Sequence, residues 1–322
     1  MILKNSKTLN IVFAGTNDFS KNHLKVLIKQ TSHKILGIIT QPDKPYGRGQ
    51  NVVSTPTKIL AKKFNIPVFQ PISLNTTEFY NQILNLNADI MIVVSYGKII
   101  PQTILKIFPL GGINIHTSLL PKWRGPSPIQ SSILYGDKLT GITIIKMSKN
   151  IDTGNIIYSS PCIIKNTDTC STLQKRLQTL SCKILTKILI KFLNNSYYSI
   201  HQSKLTKYSK KIKKTDAKLL WSTDAIKLER LIRAYNPWPI CYFTINKKLS
   251  IKVWSANVIS NLSQYKYKTG EIILINKYGI QIKTKKNILN IQQVQLPGKK
   301  IMLAKNLCHP KYPWCKPGIQ LK

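Results

Sequence analysis

The sequence predicts an α/β protein: an N-terminal domain built on a Rossmann-like, mostly parallel sheet, followed by a small, basic C-terminal β-barrel domain. Three observations predict it. Through the first half, short continuous apolar runs alternate with amphipathic, helix-like segments, the pattern of parallel strands covered on both faces. Beyond Pro239 the pattern changes to short strands separated by polar turns. The two halves also differ in charge. Residues 202–322 hold 25 Lys and Arg against 4 Asp and Glu, a net of +21, whereas residues 1–201 hold 24 against 7, a net of +17. With 322 residues there is room for two cores. The expected boundaries are 1–200, a linker over 201–215, and 216–322.

The elements follow in order. Leu9 to Ala14 reads as a strand that stops at Gly15-Thr16-Asn17-Asp18, where a polar residue can cap a helix running from about Phe19 to Lys29. A second strand, Ile35 to Thr40, leads into a loop rich in Pro and Gly. A helix near Thr57 to Phe64 and a short strand at Pro67-Val68-Phe69 come next. Helix Thr77 to Leu86, strand Ile90 to Ser95, a helix after Pro101 and strand Gly112 to His116 continue the alternation. Strands Thr140 to Lys146 and Ile156 to Ile164 precede a long helix, about Ser171 to Leu193. The polar stretch to Thr215, with Lys210-Lys211-Ile212-Lys213-Lys214, reads as the linker. Five short strands between Cys241 and Val294 complete the second domain.

Composition narrows the function classes. A formal net charge of +38 favours a polyanionic partner such as nucleic acid. Lys, Ile and Asn are all abundant, as drift toward A- and T-rich codons also produces, so both origins of the charge stay open. The six cysteines show no C-x-x-C pair and read as reduced thiols of a cytoplasmic protein. Cys308, His309 and Cys315 do not have zinc spacing, so no metal is expected. Neither a signal peptide nor a membrane-spanning stretch is predicted. Gly15 follows the first strand without G-x-G-x-x-G, which argues against a nucleotide cofactor.

The sharpest feature is Asn114-Ile-His116, together with Asp152 in Ile151-Asp152-Thr153-Gly154. An amide, an imidazole and a carboxylate are the parts needed to move a carbonyl carbon between two nitrogens. Alternate residues of a strand share a face, so Asn114 and His116 point the same way. Asn donates to a developing oxyanion, His donates or shuttles a proton, and Asp holds the imidazole. Each alone has a blander reading, a buried structural His or an ordinary turn; the set together points to chemistry.

In these residues the chain resembles bacterial methionyl-tRNA formyltransferases. The matching segments are Phe13-Ala-Gly-Thr-Asn-Asp-Phe19, Gln41-Pro-Asp-Lys-Pro-Tyr-Gly-Arg-Gly49, and Asn114 through Gly125. Ile151-Asp-Thr-Gly154, Leu228 through Pro239 and Leu296-Pro-Gly-Lys-Lys300 extend the match almost end to end. Asn17, Thr117 and Leu220 depart from the family pattern, and none belongs to the Asn–His–Asp set.

The resemblance implies transfer of the formyl group of 10-formyltetrahydrofolate to the α-amino group of methionyl initiator tRNA, without a metal, by a monomer. It implies catalytic roles for Asn114, His116 and Asp152, and folate contacts from Ser118, Leu119, Leu120 and Pro121. It also implies tRNA contacts from Arg48, Lys44 and Lys211. Two other readings compete: formyl transfer to a small amine such as an amino sugar, and a catalytically dead RNA-binding relative.

Overall fold

The computed structural model describes residues 8–30, 32–46, 49–194, 196–246, 249–260 and 267–321. In chain order its first elements are β1 (Asn10–Gly15), α1 (Asp18–Gln30), β2 (Lys34–Ile39), β3 (Lys44–Tyr46), β4 (Asn51–Val53), α2 (Pro56–Lys63), β5 (Val68–Phe69) and α3 (Thr77–Leu84). Then come β6 (Ile90–Val94), α4 (Gln102–Leu105), β7 (Gly112–His116), α5 (Pro128–Leu134), β8 (Leu139–Lys146), β9 (Ile156–Ile163) and α6 (Cys170–Leu193). The remainder holds α7 (Ala225–Ala234), β10 (Cys241–Ile245), β11 (Leu249–Ile259), β12 (Ile272–Asn276), β13 (Gly279–Lys283), β14 (Ile288–Gln295) and β15 (Met302–Leu303). None of the described helices is long and apolar enough to cross a membrane.

Contacts sort the chain into two units. The first takes residues 1–128, 140–163 and 175–209; the second takes 129–139, 164–174 and 210–322. The stretch 201–215, expected as a linker, is therefore divided, and its first part is tied into the first unit. Ile200 pairs with Ile156 as an isolated bridge, and Arg124 pairs with Tyr208.

The first unit is organised by a seven-stranded sheet in the order β5-β2-β1-β6-β7-β8-β9. The neighbours from β5 to β7 are parallel, and β8 runs antiparallel to β7. Ile-Val-Phe-Ala in β1 and Ile-Met-Ile-Val-Val in β6 are buried throughout, as central strands covered on both faces must be. Phe79 and Ile83, four apart on α3, pack into this core beside Ile104 and Phe108. Thr55 and Thr76 cap α2 and α3 by accepting from Lys58 N and Phe79 N, each at 3.3 Å.

Strand order reverses between β1 and β6: β1 continues to β2 on one side, β6 to β7 on the other. In open sheets of this kind the crevice beyond the carboxyl ends at the reversal receives ligands. Gly15 pairs with Val94 there, at the ends of both strands.

The second unit carries an antiparallel sheet in the order β10-β11-β14-β13-β12, with β15 also pairing β14. Its end strands β10 and β12 are not paired with each other among the described residues, a partly open arrangement known in small barrels. The amphipathic helix α7 buries Leu228 and Ile232. Several elements, α7 and β15 among them, arise where sequence reading expected none. The Pro- and Gly-rich loop after β2 contains the hairpin β3–β4, in which Lys44 faces Val53 and Tyr46 faces Asn51. Helix α5 begins at Pro128, a residue suited to a first helical turn.

Candidate active site

Strand β7 ends at the carboxyl edge of the first sheet, and Asn114 and His116 both face a cavity of about 560 Å³ there. Asp152 reaches the same cavity from the turn between β8 and β9. Its carboxylate is 9% exposed and the imidazole of His116 is 6% exposed. One oxygen, Oδ1, accepts from Asn114 Nδ2 at 3.1 Å. The other, Oδ2, lies 3.4 Å from His116 Nδ1 and accepts from the backbone N–H of Gly125 at 2.8 Å.

His116 Nε2 lies 2.9 Å from the carbonyl oxygen of Trp123 and donates to it. Both ring nitrogens thus face oxygen atoms, Nδ1 the Asp152 carboxylate and Nε2 the Trp123 carbonyl.

The local backbone explains why these residue types stand here. Asp152 has φ +53°, in the left-handed region that short polar side chains tolerate best. Gly154 closes the turn with its Cα pressed against β8; a Cβ there would sit 1.6 Å from Lys146 O. The turn itself therefore favours a short polar residue at 152 and requires Gly at 154. An amide nitrogen has a second hydrogen beyond the one Asn114 gives to Asp152, and Asn114 lines the cavity where a ligand oxygen could take it.

Much of the remaining cavity wall comes from two segments to which sequence reading gave no role. Ser95 to Ile100 follow β6, and Met147 to Ile151 follow β8. Ser95 at φ +48° and Gly97 at φ +85° turn the chain sharply away from the sheet. The ammonium of Lys98 donates to Pro71 O at 2.8 Å and Ile72 O at 2.7 Å, pinning this lip. Tyr96 is 2% exposed, and its buried hydroxyl has no hydrogen-bond partner among the described residues. Burial pushes that hydroxyl up to about 12, so it stays neutral. The available signal was the position of Ser95-Tyr96-Gly97 at the carboxyl end of a buried apolar strand.

The expected folate contacts stand differently. Thr117 lines the cavity, but Ser118, Leu119, Leu120 and Pro121 do not. Ser118 is buried and donates to Lys122 O at 2.6 Å. Leu120 is buried, and its N–H donates to Thr143 Oγ1 at 3.0 Å. Leu119 lies against Gly141 of β8, and Pro121 O accepts from the Thr206 hydroxyl. These groups are satisfied inside the protein, so the segment fixes the exit from β7.

Of the expected tRNA contacts, Lys44 is exposed on β3 and Lys211 is exposed in the second unit. Arg48 lies outside the described residues. The base of its loop is braced by Asp43, which accepts from Lys58 Nζ at 2.5 Å, Gln70 Nε2 at 2.7 Å and Ser54 Oγ at 3.0 Å. Those bonds, the Lys58 ammonium first, hold the Asp43 carboxyl at about 2. Among the described residues no three His, Cys, Asp or Glu side chains gather as a metal site.

A model of the formyl transferase family matches residues 6–209, and one of the formyl transferase C-terminal domain matches 211–311. The chain is 68% identical over 321 residues to the methionyl-tRNA formyltransferase of Buchnera aphidicola subsp. Baizongia pistaciae, spanning 100% of this chain and 99% of that one. It is 53% identical over 316 residues to that of subsp. Acyrthosiphon pisum strain Tuc7, spanning 98% and 100%. Among solved structures, an N-formyltransferase from Helicobacter canadensis in complex with folinic acid and dTDP-3-aminofucose superposes with a TM-score of 0.64. It is 19% identical and matches over 88% of this chain and 99% of that one, a likeness of fold. With both family models matched in chain order and two relatives matched end to end, the chain belongs to the methionyl-tRNA formyltransferases of the formyl transferase family.

Proposed function

We propose that the protein transfers the formyl group of 10-formyltetrahydrofolate to the α-amino group of methionine carried on initiator tRNA. The observation that carries this reading is the Asp152 carboxylate joined to both Asn114 and His116 on the wall of one cavity, in a chain 68% identical to a methionyl-tRNA formyltransferase. A cavity of about 560 Å³ is roomy enough for the ring system of a folate. Ser95 to Ile100 and Asn150 to Asp152 enclose that ring system, and Ser118 to Pro121 back the wall beside Thr117.

The neutral amine attacks the formyl carbon, a new C–N bond forms, and the carbonyl oxygen becomes an oxyanion. Asn114 offers an N–H to that oxygen. His116 offers its Nε2–H, which Trp123 O accepts in this structure. Asp152 holds the imidazole and takes up the proton released by the attacking nitrogen. As the bond from the formyl carbon to the folate nitrogen breaks, that proton passes to the departing nitrogen, leaving tetrahydrofolate and formyl-methionyl-tRNA. A preorganised donor of this kind contributes roughly 2.7–4 kcal/mol to the transition state. On the tRNA side, Lys44 and Arg48 contact the acceptor stem, and Lys211 lies near its end.

The test is to incubate the full chain with formyl-labelled 10-formyltetrahydrofolate and one of three acceptors. These are methionylated initiator tRNA, methionylated elongator tRNA and a nucleotide-linked amino sugar. Label in the initiator tRNA supports the proposal; label in the amino sugar with none in tRNA overturns it.

A further inference from the structure

The segment after Ile200 does more than join two units. Gln202 is 4% exposed, and its amide makes four hydrogen bonds inside the protein. Its nitrogen donates to Asp152 O at 2.9 Å and to Gly154 O at 2.6 Å, gripping the turn that presents the carboxylate. Its oxygen accepts from Arg124 Nε at 3.0 Å and Nη2 at 2.7 Å. Arg124 is 6% exposed and also donates to Ser203 O at 3.3 Å.

Arg124 sits between the two backbone groups that touch the site. Trp123 O receives the His116 proton, and Gly125 N–H donates to Asp152. The rest of the segment holds the same three residues. Arg124 N donates to Lys207 O at 3.1 Å, and Ser209 donates to Arg124 O from its N at 2.7 Å and from its hydroxyl at 3.1 Å. Lys207 Nζ lies 5.9 Å over the Trp123 ring. Gly125, at φ +107°, has no room for a side chain, because a Cβ would meet Ser209 O at 2.8 Å.

We infer that Gln202 is a positioning residue for the formyl transfer: its buried amide locks the Asp152 turn to the Trp123–Gly125 segment, fixing carboxylate and imidazole against each other. A buried amide whose nitrogen is taken up by the Asp152 turn, and whose oxygen is taken up by the residue between Trp123 and Gly125, has little freedom to serve another purpose. The role rests on the formyl-transfer reading, and it acts through Asp152 rather than on substrate. A carboxylate set free to shift by an ångström loses the alignment on which the proton transfers depend.

The experiment compares wild type with Gln202→Met, which keeps volume and removes the four hydrogen bonds. We expect kcat to fall on the order of 10–100-fold while KM for both substrates stays within about twofold. In an Asp152→Asn background the same change should cost almost nothing more, because the group it positions is already gone. Full kcat in a folded Gln202→Met protein overturns the inference, as does a loss of undiminished size in the Asp152→Asn background. Should Gln202→Met fail to fold, Gln202→Glu keeps the acceptor for Arg124 but sets an oxygen against the carbonyls of Asp152 and Gly154. It should show the same fall in kcat, and full activity would overturn the inference. Hydrogen exchange over residues 123–127 reads the clamp without turnover. Faster exchange in Gln202→Met supports the clamp even if the wild type is silent on every acceptor, a silence that would sink only the formyl-transfer reading. Unchanged exchange overturns the clamp.

Discussion

The two units put polar groups to opposite uses. In the first, Asn114, His116, Asp152, Arg124 and Gln202 are mostly withdrawn from water, and hydrogen bonds hold them at fixed distances. In the second, lysines such as Lys211, Lys213 and Lys214 stand exposed near the start of its 210–322 stretch. Buried polar groups are satisfied one by one, so each is specific and costly to remove. Exposed charges act through a summed field that water and salt weaken, so each counts for little. The first unit should therefore respond to single substitutions, steeply and with little dependence on salt. The second should respond to the number of charges removed, gently and with strong dependence on salt.

The largest effect is expected at His116. His116→Ala should lower kcat on the order of 10³-fold or more, since it removes an oxyanion donor and the partner of Asp152. Binding of methionylated tRNA should be largely retained. Undiminished turnover would end the assignment, and loss of binding with the same kcat would move His116 from chemistry to recognition.

The next effect concerns stability. His23 is fully buried; its Nδ1 donates to Phe19 O at 2.7 Å, and its Nε2 accepts from the Ser181 hydroxyl at 2.7 Å. Burial lowers it from 6.5 to about 4, with the Phe19 carbonyl opposing. The sign follows from which state binds the proton. Between pH 6.5 and 4 the unfolded chain is protonated and the folded chain is not, so stability from a neutral His23 is complete above 6.5 and drains away as pH falls toward 4. The loss over that window should reach about 3 kcal/mol, and His23→Gln should remove it. Denaturant unfolding at pH 7.5 and 4.5 measures both; equal slopes in the two proteins would mean that His23 does not carry the dependence.

Sequence reading reached the parts of this molecule that follow from local pattern. The buried strands show as continuous apolar runs, and period two placed Asn114 and His116 on one face, where the cavity lies. It missed what depends on distant residues meeting. Nothing near Gln202 in the sequence distinguishes it from the polar lysine-rich stretch around it. Its meaning comes from Arg124, 78 positions away, and from the Asp152 turn, 50 away. The reading of 201–215 as a linker failed to anticipate this division for the same reason: polarity usually signals solvent, and here some of it is buried. Ser118 to Pro121 are expected at the folate from the resemblance alone; the structure shows the Ser118 hydroxyl and the Leu120 N–H bonded inside the protein.

Arg48→Ala tests the boundary of the comparison, since Arg48 belongs to the first unit by sequence position but follows the exposed strand β3. It should lower kcat/KM for initiator tRNA by about tenfold, the cost of one charged contact to phosphate or base, and barely change KM for the formyl donor. Equal losses toward both substrates would place its effect in the cavity and not on the RNA.

The smallest effect per residue is expected at the exposed lysines, and its form matters more than its size. Lys211→Ala should weaken tRNA binding only a few-fold near physiological salt, and Lys213→Ala and Lys214→Ala should do the same. If each neutralises one phosphate, the slope of log K against log salt should become shallower by about 0.9 per lysine removed, nearly additively across single, double and triple variants. A slope that stays the same through the triple variant would mean that these charges never meet RNA. Their abundance would then be a product of codon composition, and the contrast between the two units would be one of surface and interior alone.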